Sequence, residues 1–317
     1  MSDDEVIHVA FTLDGGYAMP LAAAICSAAC NLNPSSRIIF HIFHHDFRPL
    51  LQEKVQASLA RLALTNASII WQEVNLDGLR NLRVVHDNHN SLIYLRLLLP
   101  DLLPANIEKV IYLDADLIVL DNIASLWSEP FEGRALMAAR DRIGTVSGPS
   151  GLSNVRELGI PADAAYFNSG VLVFNLTRWR NEDLSGRVLQ YILDHPNDLQ
   201  MGDQDGLNAV LFGQWRELDF RWNWQVVPDR RRAIEAGCWG LDRTEKSIVH
   251  FVTSAKPWLP GSRYAERHLF FYYLDKTAWR GWRVPAMLSA KTRLKRLLWP
   301  MVARLRSWRR PVAGETP

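Results

Sequence analysis

The run Lys109-Val110-Ile111-Tyr112-Leu113-Asp114-Ala115-Asp116-Leu117-Ile118-Val119-Leu120-Asp121 sets two carboxylates one residue apart inside an apolar, strand-like segment. In a strand, residues i and i+2 point to the same face. Asp114 and Asp116 therefore converge at the end of a buried strand. Buried like charges are costly unless a cation neutralises them. A divalent metal answers that need, and a metal at a strand end suggests a phosphate-bearing ligand, because Mg²⁺ and Mn²⁺ pair protein carboxylates with phosphate oxygens.

Outward from this run the chain alternates. Residues 6–13 read as a strand broken by Asp14-Gly15-Gly16, 21–29 as a small-residue helix, 37–43 as a strand and 48–64 as an amphipathic helix. Residues 67–74 read as a third strand, 91–99 as a helix ended by Pro100, and 109–113 as a fourth strand. This β-α-β-α-β-α-β order predicts an α/β chain with a mostly parallel, doubly wound sheet and helices on both faces. Ligands of such sheets bind beyond the carboxyl ends of the strands, where Asp14 and Asp114 both fall. Further on, 135–139 reads as a strand leading into Asp141, and 142–164 as a long Gly-, Ser- and Pro-rich loop of the lid or binding type. Asn168-Ser169-Gly170 reads as a turn into a buried strand, 177–195 as a helix stopped by Pro196, 203–212 as a helix, and 248–252 as a last strand.

The chain has 317 residues, 48% of them hydrophobic and 22% charged, enough for one large α/β domain or two smaller ones. A net charge of +2 rules out a polycation. Twelve Trp suit core packing first, and ligand or membrane contacts second. Three cysteines without CxxC spacing argue against a zinc or disulfide framework and fit a reducing cytosol. Cys26 and Cys30, four apart on a helix, are expected as small buried residues. The acidic N-terminus is not a signal peptide, and no segment has the roughly 18 apolar residues of a membrane span.

Several side chains carry two readings. His250 is a satisfied core histidine or a metal ligand, and an imidazole joining two carboxylates would favour Mn²⁺ over Mg²⁺. Lys256 is an exposed loop lysine or a cation for pyrophosphate. Arg96, on an apolar helix, has an anion or carboxylate partner or a local salt bridge. Asp203-Gln204-Asp205 is an N-cap cluster or stands at a reacting sugar. Asp14 could accept from a base or sugar and Tyr17 could stack on a base. Gly15-Gly16 is not a GxGxxG fingerprint, so a dinucleotide is poorly supported.

In order, the chain shows a strand-end Asp with a nearby Tyr, Tyr-Leu-Arg, Tyr-Leu-Asp-Ala-Asp, Asn-Ser-Gly-Val, Gly-Asp-Gln-Asp-x-Leu-Asn and His-Phe-x-x-x-x-Lys-Pro-Trp. Over about residues 6–258 this resembles glycosyltransferase family 8, retaining enzymes that use nucleotide sugars. Gly15-Gly16 departs from the family's common Asp-x-Asn-Tyr. The resemblance implies a GT-A fold with acceptor-side elaborations over residues 1–284. It implies Mn²⁺ (or Mg²⁺) on Asp114, Asp116 and His250, bridging the phosphates of a UDP-sugar. Thr12, Asp14 and Tyr17 would hold uridine, with Ala115 also in the donor contacts. Arg96 and Asp141 would meet the donor sugar, and Asn168 and Gly170 would line its pocket. Asp203 and Gln204 would flank the anomeric carbon and Lys256 would contact the pyrophosphate. The expected reaction moves galactose or glucose to a saccharide, with a lipopolysaccharide core or other lipid-linked glycan as the leading acceptor.

Residues 285–317 read as a basic tail. From Lys291 to Arg310 there are eight Lys or Arg and no acid, interleaved with Leu, Trp, Met and Val. That suits an interfacial helix on anionic lipid, kinked at Pro300, better than a nucleic-acid arm. The implied location is cytoplasmic, peripheral on the inner face of the membrane. Three rival readings are a haloacid-dehalogenase-type phosphatase, a non-catalytic sugar-binding protein of the same fold, and a self-glycosylating primer. The first normally has Thr or Val where Ile118 stands, two residues past the second Asp.

Overall fold

A computed structural model describes residues 6–79 and 91–285. The chain runs β1 (Val6–Asp14), α1 (Ala18–Cys30), β2 (Arg37–His45), α2 (Pro49–Ala60), β3 (Ala67–Glu73), a 3₁₀ segment (Ser91–Leu98), α3 (Leu99–Leu102) and β4 (Lys109–Leu113). It continues through β5 (Leu117–Val119), α4 (Ile123–Trp127), β6 (Leu136–Thr145), β7 (Ala165–Asn175), α5 (Leu176–Asn181), α6 (Leu184–Asp194) and α7 (Asp203–Val210). It ends with β8 (Trp215–Leu218), β9 (Trp224–Gln225), α8 (Arg230–Glu235), β10 (Ile248–His250) and α9 (Arg267–Leu274).

Seven strands form one sheet in the order β3-β2-β1-β4-β7-β6-β8. β7 runs antiparallel to both neighbours, and the remaining pairs are parallel. The mostly parallel α/β sheet expected from the sequence is therefore present. Period-two alternation divides the core between its faces. Ile7, Val9, Phe11 and Leu13 pack with α1 on one side, while Ala10, Val110 and Tyr112 pack with α5, α6 and α7 on the other. The alanines of α1 are buried, which lets that helix lie close on the sheet.

A second sheet, β5-β10-β9, positions the metal-type residues. β10 pairs antiparallel with β5, setting His250 opposite Leu117, and Phe251 N–H donates to the Asp116 carbonyl at 3.0 Å. Long sequence separation thus becomes adjacency through two hydrogen-bonded strands.

Five local expectations are corrected. Asn168-Ser169-Gly170 lies inside β7 rather than in a turn. Side chains there answer backbone donors, Gln204 Oε1 taking Ser169 N–H at 2.9 Å and Asn168 Oδ1 taking Gly170 N–H at 3.0 Å. The 177–195 helix is two helices, broken where Asp183 adopts φ 46° and caps α6 through Gly186 N–H. Pro100 opens α3 instead of ending a helix, since its missing N–H costs nothing in a first turn. The strand leading to Asp141 runs on through it to Thr145. Cys26 is buried as expected, but Cys30 at the end of α1 is exposed.

Candidate active site

Asp114 follows the last residue of β4, its N–H donating to the Gly170 carbonyl at 2.8 Å. Tyr112, two residues back on the same face, donates its hydroxyl to Asp114 Oδ1 at 2.7 Å and lies 3.3 Å from Thr12 Oγ1. Asp116, His250 and Asp114 converge. His250 Nε2 lies 3.2 Å from Asp116 Oδ1 and 3.6 Å from Asp114 Oδ2, and one ligand atom from each residue falls within 4.8 Å of the others. Asp116 is only 9% exposed, and an ionised carboxylate so placed costs several kcal/mol unless paired. Burial works to raise its pKa, but Lys256 and His250 outweigh it and hold the carboxyl below the usual range. Lys256 Nζ contacts Asp116 Oδ2 and donates to the Phe251 carbonyl at 2.7 Å, so it is no exposed loop lysine.

Asp116 Oδ1 is buried with no hydrogen bond among the described residues. That orphaned oxygen, a second carboxylate and an imidazole nitrogen make an O,O,N donor set that fits a divalent cation and, through the imidazole, tolerates Mn²⁺.

Arg96 joins this cluster to a second one. It is 7% exposed, 3.1 Å from Asp114 Oδ1 and 3.3 Å from Asp203 Oδ2, and it donates to the Ser169 carbonyl at 2.7 Å. Its partners are carboxylates distant in sequence, not a local salt bridge. Burial opposes the guanidinium charge, but Asp114 and Asp203 raise its pKa above the ordinary value. Asp203 opens α7, and burial pushes its carboxyl up to about 6 against the opposing pull of Arg96. The N-cap of α7 is Gly202, without a side-chain cap, so the Asp203-Gln204-Asp205 cluster is not a capping group. Asp205 is fully buried and accepts from Tyr166 Oη and from Gln200 and Met201 N–H, each at 2.6 Å.

Asp141 is 4% exposed on β6, and its Oδ2 accepts from Asn168 Nδ2 at 2.9 Å and Gln204 Nε2 at 3.2 Å. Gly170 presses against the triad. A Cβ there would stand 2.2 Å from His250 Cε1 and 2.7 Å from Asp114 Oδ2. At the end of β1, Asp14 Oδ1 accepts Gly16 N–H at 2.8 Å, and Tyr17 stands edge-on to Trp258 with ring centroids 6.0 Å apart. The structure thus gathers Thr12, Arg96, Asp114, Asp116, Asp141, Asn168, Gly170, Asp203, Gln204, His250 and Lys256 into one connected network, with Asp14 and Tyr17 at its rim.

Three further residues, Tyr112, Ser169 and Asn223, contribute to this network. Tyr112 was legible from the period of β4. Ser169 and Asn223 were not. Asn223 is fully buried and bonds both Asn168 and His250.

Among solved structures, the galactosyltransferase LgtC in complex with donor and acceptor sugar analogues superimposes with a TM-score of 0.73 at 24% identity, covering 90% of this chain and 100% of that one. The α/β architecture is therefore the GT-A fold of that enzyme. In sequence, General stress protein A of Bacillus subtilis (strain 168) is 26% identical over 296 residues, 90% of this chain and 99% of its own length. Probable galacturonosyltransferase-like 9 of Arabidopsis thaliana is 26% identical over 81% of this chain and 68% of its own length. The family profile described as glycosyl transferase family 8 matches residues 8–261, a span that takes in every residue of the network just described, and the chain accordingly belongs to that family.

Proposed function

We propose that this glycosyltransferase is a retaining enzyme that moves galactose or glucose from a UDP-sugar to a saccharide acceptor, with Mn²⁺ (or Mg²⁺) on Asp114, Asp116 and His250. The observation that carries the proposal is the junction at Arg96. One guanidinium touches both a carboxylate of the metal-type triad and Asp203 of the Asp141-Asn168-Gln204 cluster. A nucleotide diphosphate on the first half would deliver its sugar to the second.

When bound, the cation neutralises the charge that a departing diphosphate develops. The residues of the chain do the rest. Lys256 lies against Asp116 and would add a second positive charge to the leaving group. Thr12, Asp14 and Tyr17 hold the uridine at the end of β1, where Ala115 also meets the donor. Asn168 and Gly170 line the sugar pocket, and Asp141 orients the sugar together with Arg96. Gln204 is a poor nucleophile, being uncharged and already hydrogen-bonded at both ends of its amide, to Ser169 N–H and to Asp141. Asp203 is held by Arg96 and serves as an electrostatic partner for oxocarbenium character on the sugar. Retention then follows from attack on the face that the phosphate leaves, with the departing phosphate taking the acceptor's proton. A glycosyl–Asp203 adduct trapped and seen by mass spectrometry would overturn that route.

The pocket argues for a neutral hexose. Asp141 and Asp203 stand on the sugar side, and the Arg96 guanidinium is already committed to Asp203 and to Asp114 of the triad. A uronate carboxylate would meet like charge there without a free cation from Arg96. The decisive experiment is a panel of UDP-sugars with Mn²⁺, read as UDP release with and without acceptors. UDP-galactose or UDP-glucose should turn over. Asp116→Ala should abolish release and weaken UDP binding in Mn²⁺ but not in EDTA.

For the acceptor, a lipopolysaccharide core or another lipid-linked glycan is the substrate class that suits the basic tail. The tail lies outside the described residues, and no helix among those described is long and apolar enough to cross a membrane. We assign residues 291–310 to an anionic membrane surface, which puts the enzyme on the inner face of the cytoplasmic membrane, and no nucleic-acid partner. A chain ending near Pro285 should keep activity on soluble acceptors and stop co-sedimenting with anionic vesicles. Unchanged sedimentation would refute the assignment.

A further inference from the structure

The geometry points to Asn223 as a positioning residue that fixes which nitrogen of His250 faces the metal, through a one-way chain of hydrogen bonds anchored on Asp141 and the backbone of β7. The inference rests on the metal reading of Asp114, Asp116 and His250.

The direction of the chain follows from groups that have no choice of role. An amide side chain can face either way, so its orientation must come from its neighbours. Gly170 N–H only donates, and it donates to Asn168 Oδ1 at 3.0 Å. The Asn168 amide nitrogen is thereby turned to Asp141 Oδ2, 2.9 Å away, where the carboxylate oxygen accepts. Two independent constraints thus give Asn168 one orientation. Its oxygen then receives a second donor, Asn223 Nδ2 at 2.8 Å. Asn223 Oδ1 is consequently the atom facing His250 Nδ1, at 2.9 Å. An oxygen there requires a hydrogen on Nδ1. Nε2 is the nitrogen left to point at Asp116 Oδ1 and Asp114 Oδ2.

That arrangement is what a metal-binding imidazole needs. A ligating histidine usually donates its other ring N–H to an oxygen, which sets the tautomer and the ring plane. Here the oxygen belongs to a residue that touches neither carboxylate of the triad. The fold holds Asn223 firmly. It ends the 3₁₀ turn Phe220–Asn223, whose Asp219 cap accepts Arg221 N–H at 2.9 Å. The next residues form β9, which pairs in parallel with β10 and sets Gln225 beside His250. Asn223 is 0% exposed. The same chain ends on Asp141, whose Oδ2 also takes Gln204 Nε2. The imidazole on the metal side and the carboxylate on the sugar side are therefore oriented by one continuous set of bonds.

Two measurements test this. The first uses the wild-type enzyme: ¹⁵N-labelled histidine spectra, with His250 assigned by its absence in His250→Gln, read in metal-free and Mg²⁺-loaded protein. Nδ1 should carry hydrogen in both, and a bare Nδ1 with hydrogen on Nε2 would overturn the inference without any Asn223 variant. The second is Mn²⁺ affinity measured by electron paramagnetic resonance in the absence of nucleotide. Asn223→Leu should bind Mn²⁺ about 10–100-fold more weakly, the range for lost support of a metal ligand. Its UDP affinity in EDTA should stay at the wild-type value. Asn223→Asp keeps an acceptor for Nδ1 and should recover most of the Mn²⁺ affinity. Wild-type Mn²⁺ affinity in Asn223→Leu would reject the positioning role while leaving the metal site standing. Failure of the wild type itself to bind Mn²⁺ would instead reject the metal reading on which the inference rests.

Discussion

Gly170 has no side chain because His250 and Asp114 stand where one would be. A methyl group there would come within 2.2 Å of His250 Cε1, so the imidazole or the strand must move. Gly170→Ala should therefore weaken Mn²⁺ binding at least tenfold, while the strain in β7 costs about 1–3 kcal/mol, the usual range for overpacking. Mn²⁺ titration beside urea unfolding separates the two effects, and unchanged Mn²⁺ affinity would remove Gly170 from the metal site. At this scale the sequence was partly legible. Asp114 and Asp116 could be paired because they stand two residues apart, although they meet in the turn between β4 and β5 rather than along one strand. His250 could not be joined to them by spacing, since the contact depends on β10 pairing with β5 across more than a hundred residues. Asn223, between two tryptophans in Arg221-Trp222-Asn223-Trp224, carried no local signal at all.

Elements were legible where their cause was local. The parallel strands announced themselves as apolar runs, and the β4 bounds, Lys109–Leu113, matched expectation. Misreadings arose where tertiary bonds overrode local preference. Asn-Ser-Gly favours turns, yet in β7 the side chains of Asn168 and Gln204 accept the backbone donors, so the segment stays extended. A similar substitution of side chain for backbone builds the start of α7. Asp205 gathers Gln200 N–H, Met201 N–H and the Tyr166 hydroxyl, which aims Asp203 and Gln204 into the site. Asp205→Ala should leave buried donors unsatisfied, at roughly 1–3 kcal/mol for each. Asp205→Asn should cost far less. Its oxygen can keep the two backbone N–H groups, and its amide can donate to the Tyr166 oxygen. Urea midpoints of the two variants check the ordering, and equal losses would mean that charge, not hydrogen-bond geometry, holds the turn.

Across the whole molecule, acids of the site such as Asp14 and Asp114 stand at the carboxyl ends of the strands, while two histidines, His8 and His41, sit further back on the second face of the sheet. His8 on β1 and His41 on β2 are diagonal neighbours, with His8 Nδ1 3.0 Å from His41 Nε2. One ring must donate and the other accept, so the pair holds together only while it shares a single proton there. Trp127 lies against His8 and Phe43 stacks on His41, and these rings offer no counter-charge. Burial lowers the pKa of His8, and burial together with His8 lowers His41 to about 4. The sign follows directly. An unfolded histidine takes up its proton near pH 6.5, whereas the folded His41 resists until about pH 4. Between these values the unfolded chain binds more protons, so stability is complete above about pH 6.5 and declines as the pH falls toward 4. The loss assigned to this pair is about 1–2 kcal/mol once solvent screening is allowed for. His41→Gln keeps a hydrogen-bonding partner for His8 but cannot titrate. Its unfolding midpoint should change less than that of the wild type between pH 7 and pH 4.5. Parallel pH profiles for the two proteins would place the acid sensitivity of the fold outside this pair.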